Sequence, residues 1–162
     1  GMGYPWHGVE QLVDFCKKFN IGLILVGPKL YSRSNSHILN LGYQKYSNII
    51  QLYSYVQFGF GCFGNYKKSK NQLFDETLFG AALKNREYLC FGIACVSAEE
   101  EMVEKESELS PFFLNINKNS DEKIASFLSK KVDRKKLQKI ARETLSWKNV
   151  LKPIVKKVSS LA

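Results

Sequence analysis

Metal and thiol chemistry are thinly provided for in this chain. Its 2 histidines, His7 and His37, lie far apart, and its 4 cysteines, Cys16, Cys62, Cys90 and Cys95, show no paired spacing of the kind that holds zinc. They fall within apolar segments, so reduced core residues are expected in place of a disulfide frame or a metal centre. No apolar run approaches the roughly eighteen residues of a membrane span. No basic start followed by an apolar region marks a secretory leader. A soluble, cytoplasmic protein is expected. Acidic residues are also in short supply, with 15 Asp and Glu against 24 Lys and Arg, for a net charge of +9. Such a surface favours polyanions or anionic lipid, and peripheral contact with a membrane is left open. The excess sits in the loop of Lys67, Lys68 and Lys70 and in the C-terminal third, where residues 130–139 and 148–157 follow helical patterns with an apolar opposite face. Solvated helix faces account for most of it. The stacking aromatics of the usual nucleic-acid modules are missing, so no nucleic-acid partner is expected.

What is present is enough for one core. At 162 residues and 44% hydrophobic, residues 1–162 form a single domain. Val9, Leu12, Val13, Phe15, Cys16 and Phe19 follow a helical period, and residues 22–26 are a short apolar strand closed by Gly27-Pro28. Residues 38–41 read as a second strand. Ser47 caps a helix through about Tyr55, residues 58–63 return as a glycine-bearing strand, and residues 93–96 and 112–116 are further strands. Ser120 or Asp121 opens a helix through Leu128, and Asp133 begins a helical region that runs past Trp147 to Val158. Alternation of this kind predicts an α/β, Rossmann-like, doubly wound parallel sheet, with ligands at the carboxyl ends of its strands.

The stretch AALKNREYLCFGIACVS, residues 81–97, carries the most chemistry. It reads as a short helix, a Gly92 stop and a covered strand, with Lys84 and Glu87 one turn apart on one face. An ammonium beside a helix start suits phosphate, and a carboxylate one turn on can accept from both hydroxyls of a ribose. The plainer alternative is an exposed ion pair on a surface helix. A second loop, Gly3 to Gly8, brackets Tyr4-Pro5-Trp6-His7 and leads into the first helix, whose start would face the same crevice. His7 could donate a hydrogen bond to an anion there, or be an ordinary loop histidine.

Three ordered segments carry a resemblance. GNYKKSKNQLFDETLFGAALKNREYLCFGIACVSAEEE looks like the donor-binding segment of GT-B glycosyltransferases of the group-1 type, through Leu83-Lys84-Asn85-Arg86-Glu87-Tyr88 and the following Gly92. GYPWHGVEQLVDF is similar to the loop and helix that open the C-terminal domain of such enzymes, and IARETLSWKNVLKPIV to the segment that closes it. The resemblance implies the nucleotide-sugar-binding half of an enzyme that moves a sugar from a UDP- or GDP-sugar to a carbohydrate or lipid-linked acceptor, without a further cofactor. It places His7 and Gly8 at the diphosphate, although the family often has lysine where this chain has His7. It places Lys84 and Glu87 at diphosphate and ribose, and Tyr43 and Gln44 beside the base. Arg86 either supports the phosphate site or pairs with a carboxylate. Lys67 and Lys68 lie in a loop that could approach the donor.

Departures from the family pattern bear on activity. The first of the glutamate pair found in many retaining members falls at Phe79, with Asp75 and Glu76 nearby, so the catalytic residues and the stereochemistry stay unassigned. The family's domain begins with a strand leading into the glycine loop, and only Gly1 and Met2 stand ahead of Gly3. Gly1-Met2 resembles a tag remnant before an initiator methionine, so a truncated gene product or an excised piece is expected, inactive without the acceptor-binding half. The alternative is a non-catalytic α/β interaction module. For that reading, Trp147, Val150, Leu151, Ile154 and Val155 would form an apolar stripe on the C-terminal helix and drive dimerisation or the docking of a partner chain.

Overall fold

The computed structural model describes residues 7–28, 36–63, 83–98, 102–105, 108–146, 148–149, 151 and 159. Within them the order is α1 (Val9–Lys18), β1 (Leu23–Leu25), β2 (Ile38–Asn40), α2 (Tyr46–Leu52), β3 (Phe58–Phe60), α3 (Leu83–Cys90), β4 (Ala94–Ser97), β5 (Phe113–Asn115), α4 (Asp121–Ser129) and α5 (Arg134–Thr144). Short 3₁₀ turns stand ahead of and behind β5. Among the described residues, five α-helices and parallel strands make a mixed α/β fold.

Among the described residues every strand pairing is parallel, as alternating helices and strands dictate. β1 lies beside β2 with Leu23 opposite Ile38. β4 is the middle strand of a second sheet, with Ala94 opposite Phe58 of β3 and Cys95 opposite Phe113 of β5. The sequence leads one to expect a continuous sheet. The described residues form two sheets instead, β1-β2 and β3-β4-β5, because no described strand joins β1 to β3.

Strand β4 is buried along its whole length. Its side chains alternate between two cores. Ala94 and Val96 join Leu12, Val13, Phe15 and Cys16 of α1 and Ile124 and Phe127 of α4. Cys95 joins Leu89 of α3 and Leu137 and Ala141 of α5. A sheet covered on both faces tolerates apolar residues at every position, which is why residues 93–96 show no polar alternation. The helices carry the matching stripes: α1 buries Leu12, Val13, Phe15 and Cys16, one continuous face of a 3.6-residue period.

Helix ends follow local chemistry. At Gly92, with φ of 73°, the chain turns out of α3 while Gly92 N–H donates to Leu89 O at 2.9 Å and Ile93 N–H to Tyr88 O at 2.9 Å. This doubly bonded left-handed cap ends the helix and points the chain straight into β4. Asp133 caps α5, its Oδ1 accepting from Lys136 N–H at 3.0 Å. At α2 the sequence reading needs correction. The helix begins at Tyr46, with Lys45 in the cap position and no side-chain cap bond, and it ends at Leu52. Ser54 explains the early end, since its hydroxyl donates to Gln51 O at 2.6 Å and its N–H to the same carbonyl at 3.1 Å, closing a turn there.

Candidate functional site

The α3 helix is held over the sheet by its buried side. Leu89 is fully buried, and the Tyr88 ring lies so close over Gly59 of β3 that a Cβ there would meet a ring carbon at 2.1 Å. Only glycine admits this approach, so the glycine in β3 sets the depth at which α3 sits. Leu89 and Asn85 are buried, and Lys84 and Glu87 lie one turn apart on the same helix.

A concavity of about 430 Å³ opens at this place, and Lys84, Asn85 and Glu87 line it together with His7. Its mouth is polar. Its walls are apolar and come from β1 and β3, including Leu25, Val26, Phe60 and Gly61, with α1 contributing Val9 and Leu12. The pair named from spacing therefore shares one cavity with the histidine named from the first loop.

Charge in the mouth is uneven. His7 is half-buried, and burial followed by the nearby positive charge of Lys84 lowers its pKa below the ordinary 6.5. The ring is accordingly neutral at pH 7, and Lys84 supplies the full positive charge. Phe63 N–H donates to His7 O at 3.2 Å, which holds the start of α1 beside the end of β3. Gly8, at the helix cap, takes φ of 60°. This is a left-handed turn that a β-carbon disfavours.

Glu87 has partners that spacing did not foresee. Tyr46 of α2 donates from its hydroxyl to Glu87 Oε1 at 2.9 Å, and that bond holds the exposed Tyr46 phenol protonated above its usual range. Tyr53 stands near the same carboxylate; burial, then the charge of Glu87, pushes its pKa up. Tyr53 in turn meets Tyr88 edge-on, with ring centroids 5.7 Å apart. Tyr46 and Tyr53 are two helical turns apart, but the sequence reading capped that helix at Ser47 and left Tyr46 outside it.

The other candidate positions lie outside the concavity's lining. Tyr43 is 82% exposed on the loop after β2. Gln44 is held on that loop by donating from Nε2 to Leu41 O at 2.8 Å. Arg86 is half-buried, with a buried Nε that has no hydrogen-bond partner among the described residues. His37 ends the approach to β2, where its carbonyl accepts from Leu23 N–H at 2.8 Å. Lys67, Lys68, Lys70, Asp75, Glu76 and Phe79 fall outside the described residues, as do Trp147, Val150, Ile154 and Val155 of the C-terminal stripe. Leu151 of that stripe is 40% exposed.

No family model matches the chain, and no curated protein or solved structure matches it either. The chemistry of the site is thus read from its own residues. No group of three or more metal-ligating side chains occurs among the described residues. Cys16 and Cys95 are buried, Cys62 and Cys90 half-buried, and none of the four is in a disulfide. Burial pushes the Cys16 thiol up to about 12, the behaviour of an inert core residue and the reverse of a reactive thiolate. No described helix is long and apolar enough to cross a membrane.

Proposed function

We propose that this chain is the nucleotide-sugar-binding half of a group-1-type GT-B glycosyltransferase, holding a UDP- or GDP-sugar for transfer to a carbohydrate or lipid-linked acceptor. One observation carries the reading: Lys84 and Glu87 from one face of α3, and His7 from the start of α1, line a single concavity that runs along β1 and β3 to their carboxyl ends. In open α/β folds that is where nucleotides bind.

The chemistry assigns the roles. Lys84 neutralises the diphosphate, which gains negative charge as the bond to the anomeric carbon breaks. His7 offers an imidazole N–H to the same group, and the amides at the start of α1 add a partial positive charge. Glu87 accepts from the ribose hydroxyls, oriented by the hydroxyl of Tyr46. Transfer also requires a second cleft wall to hold the acceptor and exclude water, so binding without appreciable transfer is expected of these 162 residues.

Calorimetric titration with UDP and GDP tests the proposal. One of the two should bind at submillimolar concentration, and Lys84→Ala should weaken it by about tenfold or more, as befits a charge-assisted contact. Absence of binding by both nucleotides at millimolar concentration, with a folded circular-dichroism spectrum, removes the assignment.

A further inference from the structure

The run from Lys130 to Arg142 holds a single acid, Asp133, and its carboxylate is spent on the Lys136 N–H at 3.0 Å as the cap of α5. Leu137 and Ala141 bury one side of that helix in the core they share with Leu89. Lys135, Lys139 and Arg142, spaced four and three residues apart, line the side turned away from it. All three are exposed, as are Lys136 on the flank and Lys130 and Lys131 in the connection from α4. Ion pairs among the described residues involve Lys17, Lys18 and Lys118, and none involves the lysines from 130 to 139.

This placement works against the helix that carries it. The amino end of a helix has a partial positive charge, which favours acids in the first turn. α5 opens with Arg134, Lys135 and Lys136, and no acid stands in its first turn. Like charges one turn apart along its outer side repel as well. Helix stability gives no reason for the pattern, and a surface that breaks local rules in this way is where a binding role is expected.

Shape and surroundings select among anionic partners. The cations stand on the convex outer side of one helix, which meets a flat sheet of charge along its length, whereas a nucleic-acid strand is held in a groove with successive rings stacked on its bases. One aromatic lies at the edge of this face. Arg134 donates to Ser54 O at 3.1 Å and to Val56 O at 3.3 Å, which brings Tyr55, 82% exposed, to the amino end of α5. A tyrosine there suits the headgroup level of a bilayer, where its ring and its hydroxyl meet different surroundings. We infer that the outer face of α5, with Lys130 and Lys131 ahead of it, docks on the surface of an anionic phospholipid bilayer without spanning it. The inference goes beyond the nucleotide reading and is independent of it, since none of these cations lines the 430 Å³ concavity.

Co-sedimentation with lipid vesicles tests it on the full 162-residue chain. At about 50 mM salt the chain should bind phosphatidylcholine vesicles containing about 30 mol% phosphatidylglycerol about tenfold or more tighter than vesicles of phosphatidylcholine alone, and the difference should vanish near roughly 500 mM. Lys135→Glu combined with Lys139→Glu should weaken binding about tenfold or more. Lys17→Glu combined with Lys18→Glu changes the net charge equally, on α1 in the core across β4, and should keep binding within about threefold of the parent. Lys135→Glu suits the helix start, so the first pair should keep or raise the thermal midpoint. Should that pair fail to fold, Lys135→Gln with Lys139→Gln must still weaken binding by about threefold. Equal binding to both kinds of vesicle overturns the inference, as does equal loss in the two charge-reversed pairs. Tighter salt-sensitive binding to a single-stranded oligonucleotide than to the anionic vesicles also overturns it.

Discussion

Glu87 shows how one side chain can serve two neighbours. Its Oε1 accepts from Tyr46 at 2.9 Å and its charge bears on Tyr53, so the carboxylate is held in place. A preset acceptor loses less freedom on binding than a mobile one. Replacing it by the neutral isostere is expected to lower the Tyr46 pKa toward the ordinary 10.0, because the bond and the charge that favour the protonated phenol are weakened. Tyrosine Cζ chemical shifts followed against pH in Glu87→Gln and in the parent chain measure this; an unchanged Tyr46 titration would contradict the bond. Lys84 and Glu87 were legible as a pair because helical spacing alone puts them on one face. The Tyr46 contact spans 41 positions in sequence and follows from where α2 packs.

Among the elements, α3 and its exit decide the shape of the site. Gly92 combines φ of 73° with a close neighbour, since a Cβ there would come within 2.4 Å of Arg134 O. Gly92→Ala meets both penalties together, and a loss of about 1–3 kcal/mol is expected by urea denaturation. A loss below 0.5 kcal/mol, roughly the level of ordinary surface changes, would show that the turn relaxes freely. The neighbouring Arg134 ties two elements: its guanidinium donates to Ser54 O at 3.1 Å and to Val56 O at 3.3 Å, so α5 is fastened to the chain that leaves α2 and enters β3. Nothing in the charge-rich run around Arg134 distinguished it from the solvated lysines beside it. Its role comes from carbonyls nearly eighty positions away. The helix stop at Gly92, by contrast, was readable from a glycine following an apolar helical stretch.

At the scale of the whole molecule, two cores on opposite faces of β4 hold the fold. Leu137 of α5 is fully buried in the one that also contains Leu89 and Cys95. Leu137→Ala is expected to cost about 2–5 kcal/mol, through lost transfer energy and an unfilled cavity. Chemical denaturation measures it, and a cost under about 1 kcal/mol would mean that the site collapses around the smaller side chain. Titration adds a second global test. Burial raises the pKa of Tyr53, Tyr88 and Cys16 in the folded chain. Unfolded chains release those protons near the ordinary 9.0 for cysteine and 10.0 for tyrosine, so above that range the unfolded state binds fewer protons and stability falls as pH rises. His7 acts in the opposite sense: its lowered pKa means the unfolded chain takes up a proton first, and stability falls as pH drops below 6.5. Thermal midpoints across the pH range should therefore show a plateau with a shallow acid shoulder and a steeper alkaline fall. His7→Gln should remove part of the acid shoulder, and an unchanged shoulder in that variant would contradict the assignment.

Helix faces, strand sites, the parallel α/β alternation and the pairing of Lys84 with Glu87 on one face were written in the sequence, because each depends on spacing within a few turns or on local turn chemistry. Packing settled that Tyr46 of α2 bonds Glu87, that Arg134 fastens α5, and that the strands of the described residues lie in two sheets. Those outcomes depend on contacts between residues far apart in the chain, where packing distances decide and no local pattern records them.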